Sequence, residues 1–325
     1  MHVPRRFAYA VLIGLTLVGL TFCAASRETP IGPRWWPSPW GADDQRGAAN
    51  RLTPDHVKEA AGLIHAGRVY QLGHVYESGM PIPGKRHFSL TIPGSPTGGP
   101  NGENRVVHHD EMFSGEIGQL GTQLDGLGHI GVRMDGDDYF YNGFRRSQFG
   151  TAYGLEKLGI EHVGVFFTRG VLADMAAFKG VDRMKSGEVI TAADLRAALE
   201  KENVRVKRGD VVLIRTGHSQ LWMKDNDAFN KGEPGIGMDA GRWLCAQKIV
   251  LVGSDTWATE VVPHRDKNRP FEVHQLLLVR NGVYNLENLD LEELARDKVY
   301  EFAFIFAPLR LKGATGSPGN PIAVR

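Results

Sequence analysis

The chain has 325 residues, of which 42% are hydrophobic and 23% charged, and its formal net charge is +1. This is the composition of a globular protein long enough to bury a sizeable core. The balanced charge and the lack of a long basic run exclude phosphate-backbone binding, so no nucleic-acid partner is expected.

The N-terminus departs from that pattern. Arg5 and Arg6 precede an uncharged apolar run from Phe7 to Ala25, with small residues at Cys23-Ala24-Ala25-Ser26. A basic start, an apolar stretch and a small-residue cleavage site read as a secretory signal over residues 1–25. A periplasmic or secreted protein is therefore expected, without stable membrane association after cleavage. The competing reading is an uncleaved anchor, because a run of this length just spans a bilayer. The twin arginines hint at the twin-arginine route. Cleavage removes two positive charges, taking the net charge from +1 to −1. It also removes Cys23, so Cys245 has no partner and is read as a small core hydrophobe.

Residues 26–325 are expected to form one domain. Residues 26–50, rich in Pro, Trp and Gly, read as an extended arm. This arm is either a strap on the core or a pocket wall built from Trp35, Trp36 or Trp40. Thr53-Pro54 signals a helix start, with the helix ending near Gly67. "RVYQLGHVY" alternates like a strand. Residues 92–105, "IPGSPTGGPNGENR", have the chemistry of a long loop, of the kind that often serves as a lid.

The second half alternates strand and helix patterns. "HVGVFFTRG" reads as a buried strand. Thr191 opens a helix with Asp194 in its first turn. "DVVLIRTG" is a strand, "AGRWLCAQK" a short helix and "IVLVGSD" a strand. In "VYEFAFIFAPLRL" the residues Tyr300, Phe302, Phe304 and Phe306 share one face of a strand. The order indicates a single mixed α/β domain.

Common catalytic signatures are missing. There is no G-x-S-x-G elbow, no phosphate loop and no H-E-x-x-H helix. "DGDDYFYNG" imitates a calcium loop, but its twelfth position is Arg146 in place of Glu. One stretch stands out: "GQLGTQLDGLGH", Gly118 to His129. Asp125 is a hard anionic ligand and glutamine carbonyls are neutral hard ones. Gln119, Gln123 and Asp125 could converge on one ion in a glycine-rich turn, with His129 beside it. Far downstream, His274 in "EVHQLLL" and Glu287 in "NLENLDL" interrupt apolar surroundings and are candidates for the same ion. On the bare residues, hydrogen bonding that merely stabilises a loop competes with ligation.

The segment "QLGTQLDGLGH" resembles the H-x-G-T-H-x-D-x-P-x-H signature of the cyclase family, which includes bacterial kynurenine formamidase and isatin hydrolase. Gly121, Thr122, Asp125 and His129 match. "WGADDQRGAANRLTP", "GHIGVRMDGDDYFYNG", "RGDVVLIRTG", "VGSDTWATEVVP" and "VHQLLLVRNGVYNLENLDL" extend the likeness over most of residues 36–307. The resemblance implies a mixed-sheet, swivelling β/β/α-type domain of the kynurenine formamidase-like kind. It implies a divalent metal, Mn²⁺ or Zn²⁺ with Mg²⁺ as a further candidate, at Gln119, Gln123 and Asp125, with His274 and Glu287 matching the downstream pair that can hold a second ion. His129 is then the catalytic acid/base. Glutamine replaces both motif histidines, and oxygen in place of imidazole nitrogen shifts preference towards harder ions.

The implied reaction is metal-assisted hydrolysis of an amide- or lactam-like bond in a small aromatic or cyclic substrate, contacted by Trp40, Phe113 and Trp257. His108 and His109 read as exposed loop residues. A homodimer or homotetramer is expected from the resemblance. The alternatives are an exported binding protein without turnover, which the glutamine pair favours, and a lactonase or dehydratase.

Overall fold

The computed structural model describes residues 28–325, so the expected signal at residues 1–25 lies outside the described residues. A nine-stranded mixed sheet organises the chain. In sequence order its strands are β1 (Val69–Gln71), β2 (Gln123–Asp125), β3 (Phe166–Asp174), β4 (Val211–Arg215), β5 (Leu251–Ser254), β6 (Tyr284–Glu287), β7 (Glu301–Phe306), β8 (Gly316–Pro318) and β9 (Ile322–Val324). Across the sheet they run β8-β2-β6-β5-β4-β3-β7-β9-β1. The central four, β3 to β6, are parallel. All pairs outside them are antiparallel.

Sequence composition explains the parallel centre. The runs VVLIR and LVGS are buried at every position, as strands covered on both faces require. Helix α1 (Pro54–Ala61) lies against β3 and β7 on one side. Helices α2 (Ala192–Lys201) and α3 (Met238–Ala246) pack against each other on the sheet. Thr191 caps α2 as expected: its hydroxyl accepts from the Asp194 amide at 3.1 Å, and the Asp194 carboxylate accepts from the Thr191 amide at 3.0 Å. Phe302, Phe304 and Phe306 are buried on one face of β7. Ala303 is buried on the other, beneath Ala60 of α1.

Three expectations are corrected. Helix α1 stops at Ala61, well before Gly67, because the Ala66 and Arg68 amides both donate to the Arg325 carbonyl, and this ties the segment to the sheet edge. The strand in "RVYQLGHVY" shrinks to Val69–Gln71, matching the three residues its partner β9 offers. Residues 92–105 are not a featureless loop. Gly98–Asn101 pairs with Val106–His108, stacked beyond a second ladder of Phe88–Thr91 with Met112–Gly115. Gly99 holds φ of +95°, and any side chain there would strike the Val106 carbonyl.

Residues 28–51 form a strap. The Trp35 indole donates to the Phe140 carbonyl at 3.1 Å, Trp36 packs on Tyr139, and Asn142 bonds the backbone of Ser38, Gly41, Ala42 and Asp44. The rejected calcium segment is a hairpin, with Asp137 accepting from Ser147. Among the described residues, no helix is long and apolar enough to cross a membrane.

Candidate metal centre

The site lies where β2 meets β6. Their antiparallel register sets Asn285 opposite Asp125 and Glu287 opposite Gln123. The period of two puts all four side chains on one face. Every position of both strands is buried. His274 joins them from the short turn Glu272–His274, which runs directly into a π-helix, Gln275–Arg280. Such wide turns recur at functional sites. Asp125, His274 and Glu287 each offer a ligand atom, and these atoms lie within 4.8 Å of one another. The sequence-predicted residues Asp125, His274 and Glu287 are thus brought together from distant parts of the chain.

Each carboxylate has an inner and an outer oxygen. Asp125 Oδ2 lies 3.7 Å from His274 Nε2, and Glu287 Oε1 lies 3.1 Å from it. The outer oxygens go to the glutamines: Gln119 Nε2 donates to Asp125 Oδ1 at 2.9 Å, and Gln123 Nε2 donates to Glu287 Oε2 at 2.7 Å. Both glutamines therefore reach the cluster with amide nitrogen towards the carboxylates. The Gln123 orientation is locked from behind. Asn288 Nδ2 donates to the Gly121 carbonyl at 2.7 Å, a group that can only accept, and also to Gln123 Oε1 at 3.1 Å. Gly121 must be glycine here: its φ is +55°, and a Cβ would press into the Tyr76 ring.

His274 is oriented by a residue that sequence reasoning missed. Glu260 Oε1 accepts from the His274 amide at 3.0 Å and contacts Nδ1 at 2.5 Å, leaving Nε2 to face Asp125 and Glu287. Burial opposes charge on this imidazole. Its bonds to Glu260 and Glu287 outweigh burial and hold its pKa well above the usual range. Burial, with the Asp125 charge added, pushes the Glu287 carboxyl up to about 7.

His129 Nε2 lies 3.8 Å from Asp125 Oδ1, and the side chain is 20% exposed. Burial lowers its pKa despite the nearby Asp125, so the imidazole is neutral at pH 7. Glu233, also missed, is fully buried and accepts from the Trp257 and Ala258 amides at 2.6 and 2.8 Å. It fixes the loop that carries Trp257.

The substrate-contact expectations divide. Trp257 packs into an apolar cluster of Met80, Leu120, Trp222 and Phe229 beside the motif. His74, unanticipated, stacks on Trp222 with centroids 4.2 Å apart. Phe113 lies on the hairpin against Phe88 and lines a groove of about 440 Å³ with His74, Tyr76 and Leu120, and His129 does not line that groove. The structure does not bring Trp40 to the cluster: its ring lies over Arg51, whose guanidinium donates to the Ile249 carbonyl. His108 and His109 are exposed.

A signal for Asn285 was present in "NLEN", where it stands two positions before Glu287 and so shares its face in a strand. Glu260 and Glu233 offered no such signal, because their partners are backbone amides and an imidazole from other segments.

Residues 70–261 match the Cyclase family model. A solved structure described as a novel cyclase is 36% identical, with 88% of this chain and 96% of that chain covered and a TM-score of 0.77. Isatin hydrolase A from Labrenzia aggregata is 22% identical, over 81% of this chain and 94% of that one, with a TM-score of 0.57. Isatin hydrolase A from Ralstonia solanacearum is 20% identical, over 82% and 94%, also at 0.57. These last two show a shared fold. A search of curated proteins gave no match.

Proposed function

The chain belongs to the cyclase family, and from that premise we propose that it is a metal-dependent hydrolase acting on an amide- or lactam-like C–N bond of a small aromatic or cyclic substrate. The observation that carries this reading is the convergence of buried Asp125, His274 and Glu287. Two carboxylates and an imidazole suit a divalent cation, and the oxygen-rich set favours Mn²⁺ or Mg²⁺ over softer ions, with Zn²⁺ within its range. Buried carboxylates this close need a positive charge between them, which a bound cation would supply.

A divalent ion held there supplies Lewis acidity, which polarises a carbonyl and lowers the pKa of water. The chain's own residues do the rest. His129, neutral near pH 7, takes a proton from the attacking water as its oxygen bonds to the carbonyl carbon. It returns that proton to the leaving nitrogen as the C–N bond breaks. Asp125 Oδ1, 3.8 Å away, stabilises the imidazolium between the two transfers. Trp257, the half-buried tryptophan packed against the cluster of Leu120 and Trp222, is the aromatic contact for a planar substrate in this reading.

The test combines metal analysis with a substrate screen of N-formyl anilines, lactams and isatin, the last suggested by the names of the structural relatives. Turnover that is lost on chelation and restored by Mn²⁺ or Zn²⁺ is expected. A protein that takes up no ion and opens none of these bonds would instead be the exported ligand-binding protein. Export and a homo-oligomeric state belong to this proposal as well, and N-terminal sequencing and light scattering test them.

A further inference from the structure

Asn285 sits among the three candidate ligands. Its Nδ2 lies 3.2 Å from Asp125 Oδ2, 3.3 Å from His274 Nε2 and 2.7 Å from Glu287 Oε1. With the 3.7 and 3.1 Å separations from His274 Nε2 to the two carboxylates, these give five of the six edges among four atoms, and the candidate ligand atoms of Asp125, His274 and Glu287 all lie within 4.8 Å of one another. Ligand atoms about 2.1 Å from a four-coordinate ion lie roughly 3.4 Å apart, so the edges bracket the spacing that an ion needs. At the other end of the same amide, Asn285 Oδ1 is buried without a partner. Buried carbonyl oxygens are seldom left so.

We propose, on the premise that the site holds a divalent ion, that Asn285 supplies the fourth ligand through its side-chain carbonyl, while Gln119 and Gln123 remain outside as donors to the outer carboxylate oxygens. Without an ion, the Asn285 amide nitrogen serves two carboxylates that need a donor. With an ion, that need disappears and N–H groups facing a cation are repelled. A half-turn of the amide places Oδ1 at the vertex. The turn leaves one unpaired atom at the rear, as before, and adds a hard oxygen ligand in front.

Gln123 has no such freedom, because Asn288 donates to its Oε1 and is itself held by the Gly121 carbonyl. Gln119 donates to the Asp125 oxygen that faces His129. The substituted motif positions thus steady the carboxylates, and the ion's neutral oxygen comes from β6.

The experiment measures Mn²⁺ binding by calorimetry and Co²⁺ absorption spectra on the mature protein stripped of metal. The variants are Asn285→Leu, Asn285→Asp, Gln119→Met and Gln123→Met, each checked for unchanged melting in the metal-free state. Asn285→Leu should weaken binding more than about 100-fold, beyond the roughly 10- to 100-fold expected for outer partners. Asn285→Asp should bind at least as tightly as wild type and alter the Co²⁺ bands. The two glutamine variants should keep one ion per chain and the wild-type bands.

Wild-type affinity in Asn285→Leu overturns the proposal, and so does a loss in Gln123→Met that equals that of Asn285→Leu. If Asn285→Leu melts early, the Asn285→Asp spectrum decides: unchanged bands overturn the assignment. A wild-type protein that binds no ion overturns this inference and the hydrolase reading together. An ion held through Asn285 without hydrolysis overturns the hydrolase reading alone.

Discussion

Glu287→Gln should stabilise the metal-free protein at pH 8 while abolishing metal uptake. The Glu287 carboxyl is pushed from 4.5 up to about 7, first by burial and then by the Asp125 charge. The unfolded chain releases this proton near 4.5, whereas the folded chain keeps it until about 7. Folding is therefore progressively penalised as pH rises through that window, and the full penalty stands above it. Its size is about 3 kcal/mol at pH 8. Glutamine removes the charge but sets an amide nitrogen against Gln123 Nε2, which Asn288 holds in place. Losing that hydrogen bond costs about 1 kcal/mol. A net gain of about 2 kcal/mol is expected at pH 8, with none remaining near pH 4.5. Urea unfolding in the presence of a chelator measures both values. Added Mn²⁺ should raise the wild type by about 3 kcal/mol at a hundredfold excess over Kd and leave the variant unmoved. A gain independent of pH, or a loss at pH 8, would refute the reasoning.

His129→Ala should lower kcat by about 100- to 10,000-fold with metal content unchanged, as elemental analysis alongside steady-state kinetics would show. Burial holds His74 and His218 down to about 4. The unfolded chain takes up their protons first as pH falls below 6.5, so stability drops between pH 6.5 and 4. His74→Phe, which keeps the stack on Trp222 and sacrifices no bond at the unpartnered Nε2, should flatten that drop in acid melting curves. Restoring imidazole at both motif positions, Gln119→His with Gln123→His, should move metal preference from Mn²⁺ towards Zn²⁺ by at least tenfold in competition binding, since nitrogen ligands suit zinc; an unchanged preference would count against any role for these positions near the ion.

Much of this architecture could be read from residue pattern. VVLIR and IVLVG announced strands, Thr191 with Asp194 announced a helix start, and the alternating Phe302, Phe304 and Phe306 announced one face of β7, although Tyr300, expected on that face, precedes the strand. Asp125, His274 and Glu287 were visible as polar residues in apolar or glycine-rich company. What stayed hidden depends on pairings between distant segments. The direction of the Gln123 amide is decided by Asn288 and, through it, by a backbone carbonyl at Gly121. The hairpins within residues 88–115 rest on backbone pairing with little burial, so hydrophobic pattern is silent there. The Trp-rich arm offered Trp40 as strap or pocket wall alike, and its pairing with Arg51 could not be read from the pattern.

The face shared by β2 and β6 unites Asp125 and Asn285, which stand 160 positions apart. The clustered candidates Asp125, His274 and Glu287 come from three separate segments, in contrast to small zinc modules whose ligands are near neighbours and whose folding the metal drives. An ion held by this set would load only after the sheet had brought these segments together. Under the proposed metal-dependent reading, the identity of a bound ion would then depend on the supply in whichever compartment the polypeptide completes its sheet. A route that threads the chain unfolded would leave that choice to the far side of the membrane, and a route that carries it folded would make the choice before departure.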